Sequence, residues 1–181
     1  MLELTIKSGE IWDERNEVFI TVKKDIKIRM EHSLLSVSKW EAKWKKPFFS
    51  KDKMTMEQTI DYAKCMTLTQ NVPDSYYALL TGPDIKKIED YISDPMTATT
   101  INDHNKGKSN SEILTSELIY YYMISLGIPF ECEKWHMNRL LMLIRVCSVK
   151  MAPPKKMSRN EIYAQNKSLN AARRKMLHSK G

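Results

Sequence analysis

The sequence predicts an α+β chain that is mainly α-helical, with a small N-terminal antiparallel β-sheet packed on about six helices and a protruding basic C-terminal helix. Three observations lead there. Up to Met30 apolar residues alternate with polar ones, the period of a half-buried strand. From Ser33 the apolar spacing becomes three and four, the period of a helix with one buried face. The charge is also lopsided: the chain carries +7, yet residues 150–181 hold nine Lys and Arg against Glu161 alone, or +8, which leaves −1 for the rest. The organisation read from this is a single α+β domain over 1–149, β-rich over 1–31 and helical over 32–149, followed by a basic helical extension over 150–181.

The elements follow in order. Leu2, Leu4 and Ile6 read as one strand, and Val18, Ile20 and Val22 are expected to face Ile26, Ile28 and Met30 across a Lys23-Lys24-Asp25 turn, making a sheet of two or three strands. Ser33 is a candidate N-cap for a helix whose stripe is Leu34, Val37, Trp40 and Trp44 and which stops before Pro47. Thr55 and Gln58 form a capping-box pattern ahead of Met56, Ile60, Ala63 and Met66, expected to point inward, with Asn71-Val72-Pro73 as the stop. A short helix over 74–80 precedes Gly82-Pro83-Asp84, a stop and restart before the stripe Ile85, Ile88, Ile92; Asp94-Pro95 closes it.

Residues 96–111 carry no stripe and are rich in turn formers, so they read either as a mobile surface loop or as a functional site or hinge. Ser109 and Glu112 suggest a capping box for a helix over 113–126, with Gly127 as its left-handed stop. The helix expected over about 131–149, with Met137, Leu140, Ile144 and Cys147 on one stripe, is the most apolar and reads as the central helix of the core. After Pro153-Pro154, Ser158 and Glu161 cap a last helix whose stripe of Ile162, Leu169 and Met176 is too thin to bury much by itself.

Composition excludes several function classes. At 181 residues and 42% hydrophobic the chain can bury a core, and no apolar run approaches the roughly 18 residues of a membrane span. The N-terminus lacks the pattern of a secretory signal, and three cysteines in helical stretches suit reduced thiols, so a cytoplasmic home is expected. Gly107-Lys108-Ser109 ends like a phosphate-binding loop, but Asn102 stands where the leading glycine should be, and the five glycines form no dinucleotide fingerprint. Cys132 and His136 have ligand-like spacing, yet zinc needs at least three protein ligands and no second paired motif exists; a buried thiol beside a histidine is the preferred reading. No cofactor, metal or catalytic residue is therefore assigned.

What remains is binding. Trp40, Trp44, Phe48 and Phe49 lie among Lys39, Lys43, Lys45 and Lys46, a mixture that can stack single-stranded nucleic acid. Because the tryptophans fall on the apolar stripe they are assigned to the core, leaving Phe48 and Phe49 as exposed anchors for a protein partner. The basic tail, with Lys155, Lys156, Arg159, Arg173, Arg174 and Lys175, reads as a solvated helix, a partner-docking helix or a phosphate-binding arm.

Particular stretches add a resemblance. Glu31-His32-Ser33-Leu34-Leu35-Ser36-Val37-Ser38-Lys39-Trp40, Tyr62-Ala63-Lys64-Cys65-Met66-Thr67-Leu68-Thr69, Ile128-Pro129-Phe130-Glu131-Cys132-Glu133-Lys134-Trp135-His136 and Leu169-Asn170-Ala171-Ala172-Arg173 resemble proteins encoded in tailed-bacteriophage genomes, over most of the chain. Those proteins resemble products of the tail-morphogenesis module, which implies a small non-enzymatic tail assembly chaperone that coats the tape-measure protein in the host bacterial cytoplasm, with self-association and no cofactor. Two other functions fit the residues: a nucleic-acid-binding phage or virion protein using the basic tail, and a small inhibitor of a host protein.

Overall fold

The computed structural model describes residues 1–13, 17–101, 112–152 and 158–178. Among them are four strands and seven α-helices, in the order β1 (Leu2–Ile6), β2 (Gly9–Asp13), β3 (Val18–Val22), β4 (Ile26–Met30), α1 (Leu34–Trp44), α2 (Met56–Met66), α3 (Asp74–Ala78), α4 (Gly82–Ser93), α5 (Ser116–Ser125), α6 (Met137–Met151) and α7 (Arg159–Met176). The chain is α+β and mainly helical, and it divides into two compact units, Met1–Val149 and Lys150–Gly181.

The expected β3–β4 hairpin does not form. β1 pairs with β4, Leu4 opposite Ile28, and β2 pairs with β3, Trp12 opposite Phe19, both antiparallel. These are the root and the far half of one long ribbon. Between the halves, Lys7 and Ser8 lie opposite Lys23, Lys24 and Asp25, two residues against three, so the register slips by one as it does at a β-bulge. The slip has a polar filling: the Asp25 carboxylate accepts from the Ser8 backbone N–H and from Lys7 Nζ, both at 2.8 Å. Lys23-Lys24-Asp25 is therefore the slip and not the turn, and β2 is a strand missed in the sequence because Ile11 and Trp12 are apolar in succession and hide the period of two.

The root of the ribbon is buried. Leu4 and Ile6 on β1 and Ile28 and Met30 on β4 share the face that the helices cover. Residues just past α2 lie along the other edge of β4: Thr67 bridges to Met30, Leu68 N–H donates to Arg29 O at 2.7 Å, and Glu31 N–H donates to Met66 O at 2.9 Å. This pairing ends α2 at Met66, ahead of the Asn71-Val72-Pro73 stop, because the backbone groups a further turn would use are taken by β4.

The helix caps are local. Ser33 caps α1 by accepting from Ser36 N–H, Thr55 caps α2 through Gln58, Thr81 and Asp84 cap α4, and Ser158 caps α7 through Glu161. Gly127 sits at φ +64 just past α5, where a side chain would be strained. On α2, Ala63 and Met66 point inward as expected, but Met56 is exposed.

Three other expectations are corrected. The 131–149 helix is broken: Phe130–Lys134 is a 3-10 turn, and α6 begins only at Met137. His136 bridges Ser33, and Met137 N–H donates to His32 O at 2.7 Å, so a segment far away in sequence holds the intervening backbone extended. The packing centre is α1, against which α2, α5 and the 3-10 turn lie, and not α6. α5 begins at Ser116, capped by Thr115, with residues 112–115 outside the helix; Ser109 lies outside the described residues, as do residues 102–111 of the expected long loop.

Candidate functional site

Two kinds of surface were expected to carry function, an aromatic one and a cationic one. Phe48 and Phe49 follow α1, in a loop that is held in place by a buried carboxylate. Glu41 accepts from the Phe48 backbone N–H at 2.7 Å and, with its other oxygen, from Ser116 N–H at 2.8 Å, tying the end of α1, the aromatic loop and the start of α5 together. The expectation that both phenylalanines stand exposed is corrected: both are half-buried and packed on the core. Phe48 lies 4.4 Å from the Tyr62 ring, 5.5 Å from Trp40 and 5.9 Å from His32, centroid to centroid, and 5.3 Å from Phe49. The loop closes over the aromatic core with the Phe48 N–H satisfied by Glu41 and the Ser50 N–H by Pro47 O within the loop.

Beneath it lies a polar network that the sequence does not announce. His32 Nδ1 hydrogen-bonds the Tyr62 hydroxyl, and Tyr62 also meets Ser36 Oγ at 3.3 Å. The His136 ring stands edge-on to His32 at 5.1 Å; its Nε2 lies 3.0 Å from Tyr91 O and its Nδ1 accepts from Asn138 N–H at 3.3 Å, which together specify a neutral imidazole protonated on Nε2. Burial, aided by the neighbouring His136, pushes His32 down to about 3. Burial likewise raises the Tyr62 hydroxyl and the Cys65 and Cys132 thiols above their ordinary values. His32 and Tyr62 are thus held neutral, and His32, Ser36 and Tyr62 are sealed from solvent; the network joins α1, α2, α4 and α6 rather than facing a ligand. Cys132 and His136, the pair with ligand-like spacing, are both buried, and among the described residues no three His, Cys, Asp or Glu side chains gather where a metal could be held.

The cationic surface lies in the second unit. Arg159, Arg173, Arg174 and Lys175 are exposed on α7, and Lys155 and Lys156 lie outside the described residues. No residue of α7 is buried: Ile162, Leu169 and Met176, spaced seven apart on one line of the helix, are 45%, 47% and 79% exposed. Arg173 flanks this line, four residues after Leu169 and three before Met176.

A third surface was not expected from the sequence. On the far half of the ribbon Trp12 and Phe19 stack across the strands with centroids 4.8 Å apart, yet they remain 45% and 69% exposed. The only warning in the sequence is a tryptophan among Glu10, Asp13 and Glu17, where no core stripe needs one. On α5, Tyr121 and Ile124 are also exposed, and exposed Phe130 lies 6.3 Å from the Tyr120 ring, centroid to centroid, with Glu117, Glu131 and Lys134 giving the surrounding sequence mixed charge.

No family model, curated protein or solved structure matches the chain. No helix among the described residues is long and apolar enough to cross a membrane.

Proposed function

We propose that the chain is a non-enzymatic binding protein, a tail assembly chaperone of a tailed bacteriophage that takes the tape-measure protein through α7 in the host bacterial cytoplasm. The observation that carries the reading is that α7 runs for 18 residues without burying one of them, while keeping an apolar line and five Lys and Arg against Glu161 alone. An isolated helix of this length is marginal in water, so the order of α7 gains most from a partner that covers its line. An amphipathic helix with acidic flanks does so: it removes Ile162, Leu169 and Met176 from water and neutralises the cations beside them. A long helical protein awaiting assembly offers such faces repeatedly. The role needs no cofactor, and the neutral, sealed histidine network is consistent with it.

Co-expression with the tape-measure protein of the same genome, followed by affinity capture in high salt with nuclease treatment, tests the reading. A complex should survive, and Leu169→Ala with Met176→Ala should weaken it about tenfold or more, because the apolar line is what high salt leaves in force. The nine cations of residues 150–181 favour one second reading, binding of nucleic-acid phosphates. That reading predicts capture of nuclease-sensitive nucleic acid at low salt, a steep fall in affinity with added salt, and indifference to Leu169 and Met176.

A further inference from the structure

The exposed aromatic pair on the ribbon has no role in the core, and the same chain carries a surface of complementary character. We propose that the Trp12–Phe19 face of the β2–β3 ribbon docks on α7 of a second copy of this chain, so that copies associate head to tail; this rests on the reading of α7 as a docking helix.

Three observations support it. Trp12 and Phe19 stand directly opposite each other with their rings tilted at 60°, leaving most of Phe19 and nearly half of Trp12 in water. Large aromatics of this kind are the residue types that dominate interface energies. Second, Glu10 lies on the same ribbon face, two residues from Trp12, and Glu17 is exposed beside the strand end, so the aromatic pair is set among carboxylates. By sequence, residues 9–22 hold four carboxylates against one arginine, whereas α7 holds five cations against one carboxylate. Third, the shapes suit each other: α7 offers an apolar line with steps of about 10 Å between Ile162, Leu169 and Met176, wide enough to admit a ring between them. Burying the ring pair on that line places the ribbon carboxylates beside Arg173, within the positive field of the helix.

Because the two faces differ, the interface is heterologous. A pair joined by one such contact keeps one free ribbon, on one copy, and one free helix, on the other, so head-to-tail association continues into a ring or a chain. It also covers α7, so the ribbon of a second copy competes with the tape-measure protein for that helix.

The test is sedimentation of the full chain over a range of concentrations, with no partner present, so its outcome is independent of tape-measure binding. The wild type should form species larger than a dimer as concentration rises, and raising salt from about 0.15 to 1 M should weaken them. Trp12→Thr with Phe19→Thr keeps strand-forming side chains and removes the rings; Arg173→Glu with Arg174→Glu and Lys175→Glu reverses the helix. Each variant alone should sediment as a monomer, its association weakened about thirtyfold or more. Mixed in equal amounts they should recover a heterodimer and nothing larger, since one supplies an intact helix and the other an intact ribbon. A wild type that stays monomeric, a ribbon variant that associates undiminished, or a mixture that stays monomeric overturns the proposal. If tape-measure capture fails while the mixed variants form the heterodimer, the chaperone reading falls and the self-association stands.

Discussion

The two halves of the N-terminal ribbon have the same length, the same antiparallel pairing and a similar apolar content, and they meet opposite fates. In the root, Leu4, Ile6, Ile28 and Met30 are buried beneath helices; in the far half, Trp12, Val18 and Phe19 stand in water. What separates them is cover. β4 receives Thr67 and Leu68 along its free edge and the helical layer over its face, whereas beyond the slip at Asp25 the cover reaches only the near end, where α3 packs on β3 and Val22 is buried, and leaves Trp12, Val18 and Phe19 exposed. A two-stranded ribbon alone is marginal in water, so apolar residues placed there do not serve folding as those of the root do. The same contrast holds between α1, with Leu34, Val37 and Trp40 buried, and α7, which buries nothing.

Substitutions at equivalent depths along the ribbon would break the comparison most directly. Ile28→Ala, at a fully buried root position, should cost about 2 to 5 kcal/mol of unfolding free energy in a urea titration, through lost burial and the cavity left behind. A loss below about 1 kcal/mol would mean the root is no better covered than the tip. Acid sharpens the same contrast, because the root leads directly into His32. That group sits at about 3 in the folded chain and near its ordinary 6.5 once unfolded, so unfolding takes up a proton between those values. Its stabilising contribution is whole above pH 6.5 and is lost as pH falls toward 3, at a slope of up to about 1.4 kcal/mol per pH unit. His32→Asn should flatten that slope, read as unfolding midpoint against pH. Asp25, lowered to about 2 chiefly by Lys7 and also by the Ser8 backbone, contributes fully above its ordinary 3.8 and loses that contribution as pH falls toward about 2, and so acts at the acid end.

Smaller effects refine the picture. Glu41→Gln keeps one acceptor oxygen but loses the charge that holds Phe48 and Ser116, and should cost about 1.5 to 3 kcal/mol with a redshift of the tryptophan emission as the aromatic loop loosens. Trp12→Thr with Phe19→Thr should change stability by no more than about 1 kcal/mol, the value of an exposed cross-strand pair, despite removing two large rings. Leu169→Ala on α7 should stay within about 0.5 kcal/mol for the first unit, as measured by the same titration.

Much of this fold is legible along the chain, and the legible parts are local. Ser33, Thr55 and Ser158 announce the starts of α1, α2 and α7 because a cap is a hydrogen bond between residues three apart. Gly127 announces a stop because only its own φ is at stake. The candidate site was legible in part: the cations of α7 can be read as a charge block, and the thin line of Ile162, Leu169 and Met176 as a stripe that buries little. The ribbon aromatics were not, since period-two alternation fails at Ile11-Trp12 and exposure of a tryptophan is decided by what else packs there.

The amino-acid sequence by itself determined the caps of α1, α2 and α7, the mainly helical α+β class and the segregation of positive charge beyond Val149, which rest on short-range patterns and on composition. Only the tertiary structure decided which strands pair, where the helix expected over 131–149 breaks, and that His32 lies neutral between Tyr62 and His136. The physical reason is that each of these is a competition for hydrogen bonds or burial between segments far apart in the chain, such as Ser33 with His136. A local pattern does not carry the identity of such a competitor.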